Sequence, residues 1–265
     1  MAYNQEQLKT YKAVSIIAFI LSVYGGLTFS GVKENDLAHT PYSASSILLY
    51  IYWAILYIWQ AVYIIQVFFP DDFRLSIVSL IGWHFPIFSI LHYVWSELFT
   101  NEHYFLSEIV LIINFLNIIT LYFAHKTFAL RPISNYLLIH MPLVAMTMAW
   151  LFYAIFWNGA VWLQIHKVWG RIVANVFIWV FLFVPGFFLT FFNDWATGVS
   201  FTYLLFALAF GQLATKVFAL QWIFAFVIAG ILAIWTIGAM IVGGIKAPNG
   251  ENAPLLVVEE EHVGN

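Results

Sequence analysis

Eight long apolar runs, broken only by short polar segments, leave this chain almost no polar surface of its own. They fall at about residues 13–30, 45–69, 76–99, 106–124, 136–163, 172–192, 199–215 and 217–244. A hydrocarbon core roughly 30 Å thick is crossed by about 20 residues of α-helix, and a helix keeps its backbone hydrogen bonds within one segment. Charged residues are 9% of the chain and hydrophobic residues 63%. A soluble domain carries about a quarter charged residues, so most of this surface must face lipid. The expected class is all-α: a polytopic transmembrane helix bundle of eight spans, with seven as the alternative.

The span count turns on residues 211–230, GQLATKVFALQWIFAFVIAG, where Lys216 interrupts two apolar runs. One unbroken helix over 199–244 would be roughly 69 Å long at 1.5 Å per residue, more than twice the hydrocarbon thickness. Small residues repeat every fourth position at Ala207, Gly211 and Thr215 and at Ala225, Ala229 and Ala233, the pattern that lets helices approach closely in lipid. Both features favour two spans. Eight spans place both termini on one side, and six Lys/Arg on that side against four on the other favour cytosolic termini.

The organisation that follows is a polar N-terminus (residues 1–12), the bundle (13–244) and a disordered, acidic cytosolic tail (245–265). The first run lacks a small-residue cleavage site and reads as a retained signal-anchor. An endomembrane (vacuole, endosome or Golgi) or the plasma membrane is the expected location. The halves show no internal repeat, against an inverted-repeat transporter. The net charge of −3 excludes a nucleic-acid partner on electrostatic grounds. Without cysteine there is no disulfide or thiolate metal site.

Several polar and aromatic residues inside the runs are candidates for function. His92, Glu97, Glu108 and, by the eight-span topology, Lys216 gather on the non-cytosolic side. Ionisable groups near hydrocarbon are costly unless partnered or functional. A Glu–Lys pair, a proton relay or a weak carboxylate/imidazole metal site fits them, as does plain solvation of Glu97 and Glu108 at the headgroups. His84 lies deeper, beside Pro86, and either lines a cavity or bonds a backbone carbonyl. Tyr50, Trp53, Tyr57 and Gln60 share one helical face and, with Trp150, Trp157 and Asn158, would wall a flat apolar ligand or simply pack. Asn114, Asn117, Asn158 and Asn175 are expected to link helices by hydrogen bonds. Pro86, Pro142 and Pro185 are expected to kink spans three, five and six. No metal-ligand spacing, nucleophile set or phosphate loop is present, and no cofactor is expected. A retinal Schiff base at Lys216 would need one continuous span there. In the tail, Glu251, Leu255 and Leu256 form E-x-x-x-L-L, similar to the acidic dileucine signals that clathrin adaptors read.

The stretches TPYSASSILLYIYWAILYIWQAVYIIQ, SEIVLIINFLNIITLYFAH, RIVANVFIWVF and GQLATKVFALQWIFAFVIAG, with APLL in the tail, resemble an uncharacterised fungal family of multi-pass membrane proteins. The last stretch carries the resemblance most specifically. It implies a membrane bundle and no established activity. AWLFYAIFWNGAV, with Asn158 eight residues after Trp150, and the aromatic second span are similar to the tryptophan-rich sensory (translocator) proteins. Those have five spans and bind hydrophobic ligands, and no ligand residues carry over.

Three functions remain open on these grounds. The first is binding or carriage of a small hydrophobic ligand, lipid or sterol, in a cavity among the kinked spans three, five and six. The second is a scaffold or trafficking factor without small-molecule chemistry. The third is a proton- or metal-coupled transporter using Glu97 and Glu108. None is an enzyme.

Overall fold

The computed structural model describes residues 5–29, 40–68, 81–165, 168–215 and 220–246, and among them there is no strand. In chain order the helices are α1 (Gln5–Phe29), α2 (Ser46–Gln66), α3 (His84–Thr100), α4 (Tyr104–Ala124), α5 (Ile133–Trp162), α6 (Val168–Phe177), α7 (Val180–Phe192), α8 (Trp195–Thr215) and α9 (Gln221–Lys246). Seven segments are long and apolar enough to cross a membrane: Leu8–Thr28 in α1, α2, α4, α5, Ile172–Phe192 across α6 and α7, α8, and Gln221–Val242 in α9. The chain is therefore a multi-pass helical bundle by length and composition. The remaining helix, α3, corresponds to the third expected span but is 17 residues long.

The bundle is built around α5. In its apolar window 83% of residues are buried, against 67% in α8 and 28–39% in the other five spans. A helix apolar on every side is stable only where every side is covered, either by protein or by lipid. Here α4, α8 and α2 supply the protein cover, with α3 on α1 and α4, and α9 on α8 and α7. The outer helices keep lipid-facing stripes, in which Ile47, Ile58, Phe183, Phe191 and Ile234 are each two-thirds or more exposed.

The late apolar stretch forms two helices rather than one. α8 stops at Thr215 and α9 starts at Gln221. They run antiparallel: Phe210 meets Phe226 at 5.1 Å, while Gly198, at the other end of α8, sits against Thr236. Two antiparallel helices do not make the single continuous span that the retinal geometry needs. Lys216 itself, and the tail residues Glu251, Leu255 and Leu256, lie outside the described residues.

Two further expectations are corrected. α8 starts at Trp195, not near residue 199, because Asp194 caps it: its Oδ1 accepts the Thr197 backbone N–H at 3.2 Å and its Oδ2 the Thr197 hydroxyl at 2.6 Å. The turn is only Asn193–Asp194, with Asn193 at φ +51°. Pro86 produces no mid-helix kink, since it sits in the first turn of α3, where a missing N–H is harmless. Pro142 lies in a π-helical stretch, Tyr136–Ala145. Widening the turn accommodates a proline ring that would clash in a regular α-helix, and the Gln60 side-chain amide donates to the Pro142 carbonyl at 3.3 Å.

The small-residue stripe on α8 receives a non-helical segment: Ala207 and Gly211 meet the chain at residues 44–45. Ser45 N–H donates to the Ala207 carbonyl at 2.8 Å, and a side chain at position 211 would collide with the Ala44–Ser45 backbone. Gln212 Nε2 then donates to the carbonyls of Thr40 and Ser43, both at 2.9 Å. An otherwise unpaired, non-helical segment thereby finds partners inside the bundle.

Candidate functional site

Residues 40–45, held against α8, form one edge of a cavity of about 890 Å³. α2 contributes Tyr50, Trp53 and Tyr57, three positions of the aromatic face read from the sequence. α3 contributes His92 and Trp95, and α5 contributes Trp150, Tyr153 and Trp157. Gly26 and Leu27 of α1, with Phe210, Gly211, Ala214 and Thr215 of α8, complete the wall. Thus the cavity lies among α1, α2, α3, α5 and α8, and the span bearing Pro185 contributes no lining residue. Its rim reaches the outer surface, where Tyr50 is 51% and Leu27 67% exposed.

The floor is a cluster of stacked rings around His92. Trp53 lies 4.4 Å from the His92 ring and 4.6 Å, edge-on, from Trp150. Trp95 lies 5.3 Å from His92. Ser22 Oγ pairs with His92 Nδ1 at 3.1 Å, and Tyr57 Oη donates to the Ser22 carbonyl at 2.9 Å. His92 Nε2 and Trp150 Nε1 are buried without a hydrogen-bond partner among the described residues. Among the described residues no Asp, Glu, Lys or Arg lines the cavity.

The other sequence candidates fall into separate places. Glu108 is not solvated at the headgroups, being only 9% exposed. Its Oε2 accepts Asn158 Nδ2 at 2.7 Å, and Asn158 Oδ1 accepts the Ser107 hydroxyl at 2.6 Å and Trp95 Nε1 at 3.4 Å. Asn158 thus links α5 to α4 and to the back of the cavity wall. Glu97 is half-buried on α3, and among the described residues no three His, Asp or Glu side chains converge on a metal position.

His84 bonds a side chain rather than a neighbouring carbonyl. Its Nδ1 pairs with Asn117 Oδ1 at 2.7 Å, and Asn117 Nδ2 donates back to the His84 carbonyl at 2.9 Å. Asn114 donates to the Phe88 carbonyl at 3.1 Å. Asn175, expected to make such a link, leaves its Oδ1 without a partner.

One buried cluster has no counterpart in the sequence reading. Asp194 Oδ1 accepts Tyr136 Oη at 2.8 Å and pairs with His140 Nε2 at 3.0 Å, while His140 Nδ1 meets Thr127 Oγ1 at 3.0 Å. Burial alone would raise the Asp194 carboxyl, but the His140 charge and the His140 and Thr197 hydrogen bonds outweigh it and hold it at about 2. Asp194, His140 and Thr127 are all enclosed, so this is a staple between α5 and the start of α8. The signal for Asp194 was present as Asp-x-x-Thr ahead of an apolar run, a helix-capping pattern. His140 lies 54 residues away and carried none.

Trp95 and Tyr153 were also missed, although spacing marked them: three residues from His92 and from Trp150, each on the same helical face.

Residues 171–261 match the family described as "Fungal protein of unknown function (DUF1774)". The matched region takes in RIVANVFIWVF and the stretch around Lys216, two of the segments that carried the fungal resemblance. A 92-residue stretch is 38% identical to an uncharacterized protein of Schizosaccharomyces pombe, covering 32% of this chain and 33% of that protein. The match therefore spans about a third of the relative's length. No solved structure matches the chain.

Proposed function

We propose that this protein binds a small, largely flat hydrophobic ligand in the aromatic cavity between α1, α2, α3, α5 and α8. The observation that carries this reading is the cavity itself: about 890 Å³, within the range of small-molecule sites, mostly apolar, with a few polar groups placed among aromatic rings. The rim at Leu27 and Tyr50 opens toward the surface from which a lipid-soluble ligand would enter.

The test is to purify the protein in mild detergent and analyse organic extracts by mass spectrometry alongside its visible absorption spectrum. A stoichiometric lipid, sterol or pigment supports the reading. Ligand-free protein, with no uptake of added lipids, refutes it. That outcome would leave the trafficking role, for which Leu255→Ala with Leu256→Ala should then redirect the protein.

The same proposal includes eight crossings with both termini cytosolic, α3 acting as the short eighth span packed between α1 and α4. Single cysteines at Phe68 and Glu102, introduced into a chain that has none of its own, test it with a membrane-impermeant maleimide. Labelling from opposite sides supports the crossing, and labelling from the same side removes it.

A further inference from the structure

We infer that the cavity selects a neutral lipid bearing a single hydroxyl, seated on His92 Nε2, and rejects carboxylate and phosphate headgroups. This rests on the ligand-binding reading above and specifies the chemistry of that ligand.

The first observation is an orphaned polar pair in an otherwise apolar wall. His92 has no exposed surface and Trp150 only 2%. The Nδ1 of His92 is engaged by Ser22, and among the described residues its Nε2 and Trp150 Nε1 have no hydrogen-bond partner. Buried polar atoms are paired in nearly all native proteins, and an exception calls for an explanation such as a missing ligand. Both residues belong to the cavity wall.

The second observation is that the lining side chains among the described residues carry no formal charge. An anionic head would lose its water without a countercharge, and burying an unpaired ion is far costlier than burying a neutral polar group. A neutral oxygen has no such difficulty.

The type of oxygen follows from the donors. Trp150 Nε1 only donates, whereas His92 Nε2 donates or accepts according to which ring nitrogen carries the proton. A hydroxyl donates and accepts, so it matches His92 in either tautomer and still accepts from an indole. A carbonyl matches only one tautomer, and a pure hydrocarbon satisfies neither atom. Trp53 is only half-buried and covers both rings, so it is the side chain that must shift to seat the hydroxyl.

The experiment compares three probes with one ring skeleton on the purified full chain: cholestanol, cholestane and cholestanyl sulfate. One hydrogen bond in a buried site corresponds to about tenfold in affinity. The expected result is cholestanol binding about tenfold or more tighter than the other two. His92→Phe should remove that preference, bringing cholestanol down to the affinity of cholestane on the same variant. Three equal affinities on the unmodified protein, or a hydroxyl preference that survives His92→Phe, overturns the polar anchor while leaving the cavity a binding site. Tighter binding of the sulfate overturns the exclusion of anions. No binding of any probe overturns the anchor together with the binding reading. The three-probe comparison on the unmodified chain decides the matter even where the His92→Phe protein does not fold.

Discussion

Replacing Asp194 should separate two roles of one buried carboxylate. Its Oδ1 accepts from Tyr136, His140 and the Thr197 backbone N–H, and its Oδ2 from the Thr197 hydroxyl. Asp194→Ala strips all four bonds and the cap of α8. Each buried donor left without an acceptor costs about 1–3 kcal/mol, and a lost N-cap about 1 kcal/mol. Hydroxyls of Tyr136 and Thr197 can turn to other acceptors, so the expected loss is about 4 kcal/mol. At roughly 2–4 °C per kcal/mol, the melting temperature should fall by about 8–16 °C. Asp194→Asn keeps the shape, the cap and an acceptor at the Oδ1 position, while its amide can donate to a turned Thr197 hydroxyl. It loses only the charge-assisted strength of these bonds, about 1–2 kcal/mol. The assay is thermal unfolding of each variant in the same mild detergent, read by intrinsic fluorescence and by the monodisperse fraction remaining after heating. Equal melting points for the Ala and Asn variants, or an Ala variant within about 1 kcal/mol of the parent, would refute the staple.

The pH dependence follows from the same residue. The Asp194 carboxyl is held at about 2, below its ordinary 3.8. A depressed carboxyl contributes stability that is fully present above the unfolded value and is lost as pH falls through the folded one. The parent protein should therefore lose stability between about pH 4 and pH 2, and Asp194→Asn should lose less over that window. Gly211→Val should cost about 2–4 kcal/mol and disturb the cavity, since its side chain would displace the Ala44–Ser45 backbone. Gly230→Ala and Gly238→Ala meet nothing within 4 Å and should be neutral or stabilising by up to about 1 kcal/mol each; thermal unfolding checks all three. Asn158→Leu should cost about 2–4 kcal/mol by leaving Ser107 and Glu108 without their partner. Glu108→Gln, which keeps an acceptor for Asn158, should cost under about 1 kcal/mol by the same measurement.

Much of the candidate site was visible as helical faces. Tyr50, Trp53 and Tyr57 on one helix, and Trp150 and Trp157 on another, all line the cavity because positions three, four and seven apart share a side. His92 was visible as an ionisable group in an apolar run. What could not be read was which faces meet. The sequence paired His92 and Glu108 on one side of the membrane, but His92 faces Ser22 and the aromatic floor, while Glu108 faces Asn158 on α5. The pairing of His140 with Asp194 was equally hidden, since residues 54 apart are brought together only by the packing of whole helices.

The sequence by itself determined that this chain is a bundle of helices long and apolar enough to cross a membrane. Apolar runs of span length cannot be covered by a 9% charged complement, and helices meet their own hydrogen-bonding needs within a single run. It also determined the break after Thr215, since one helix through residues 199–244 exceeds the bilayer by more than twofold. The tertiary structure alone decided that α5 is central, that Ala207 and Gly211 receive residues 40–45, and that α1, α2 and α8 join α3 and α5 around the cavity while the span bearing Pro185 contributes no lining residue. In lipid every apolar face is equally content to meet tails or another helix. Partner choice then falls to close backbone approach at small residues and to a few buried hydrogen bonds, neither of which leaves a periodic mark in the sequence.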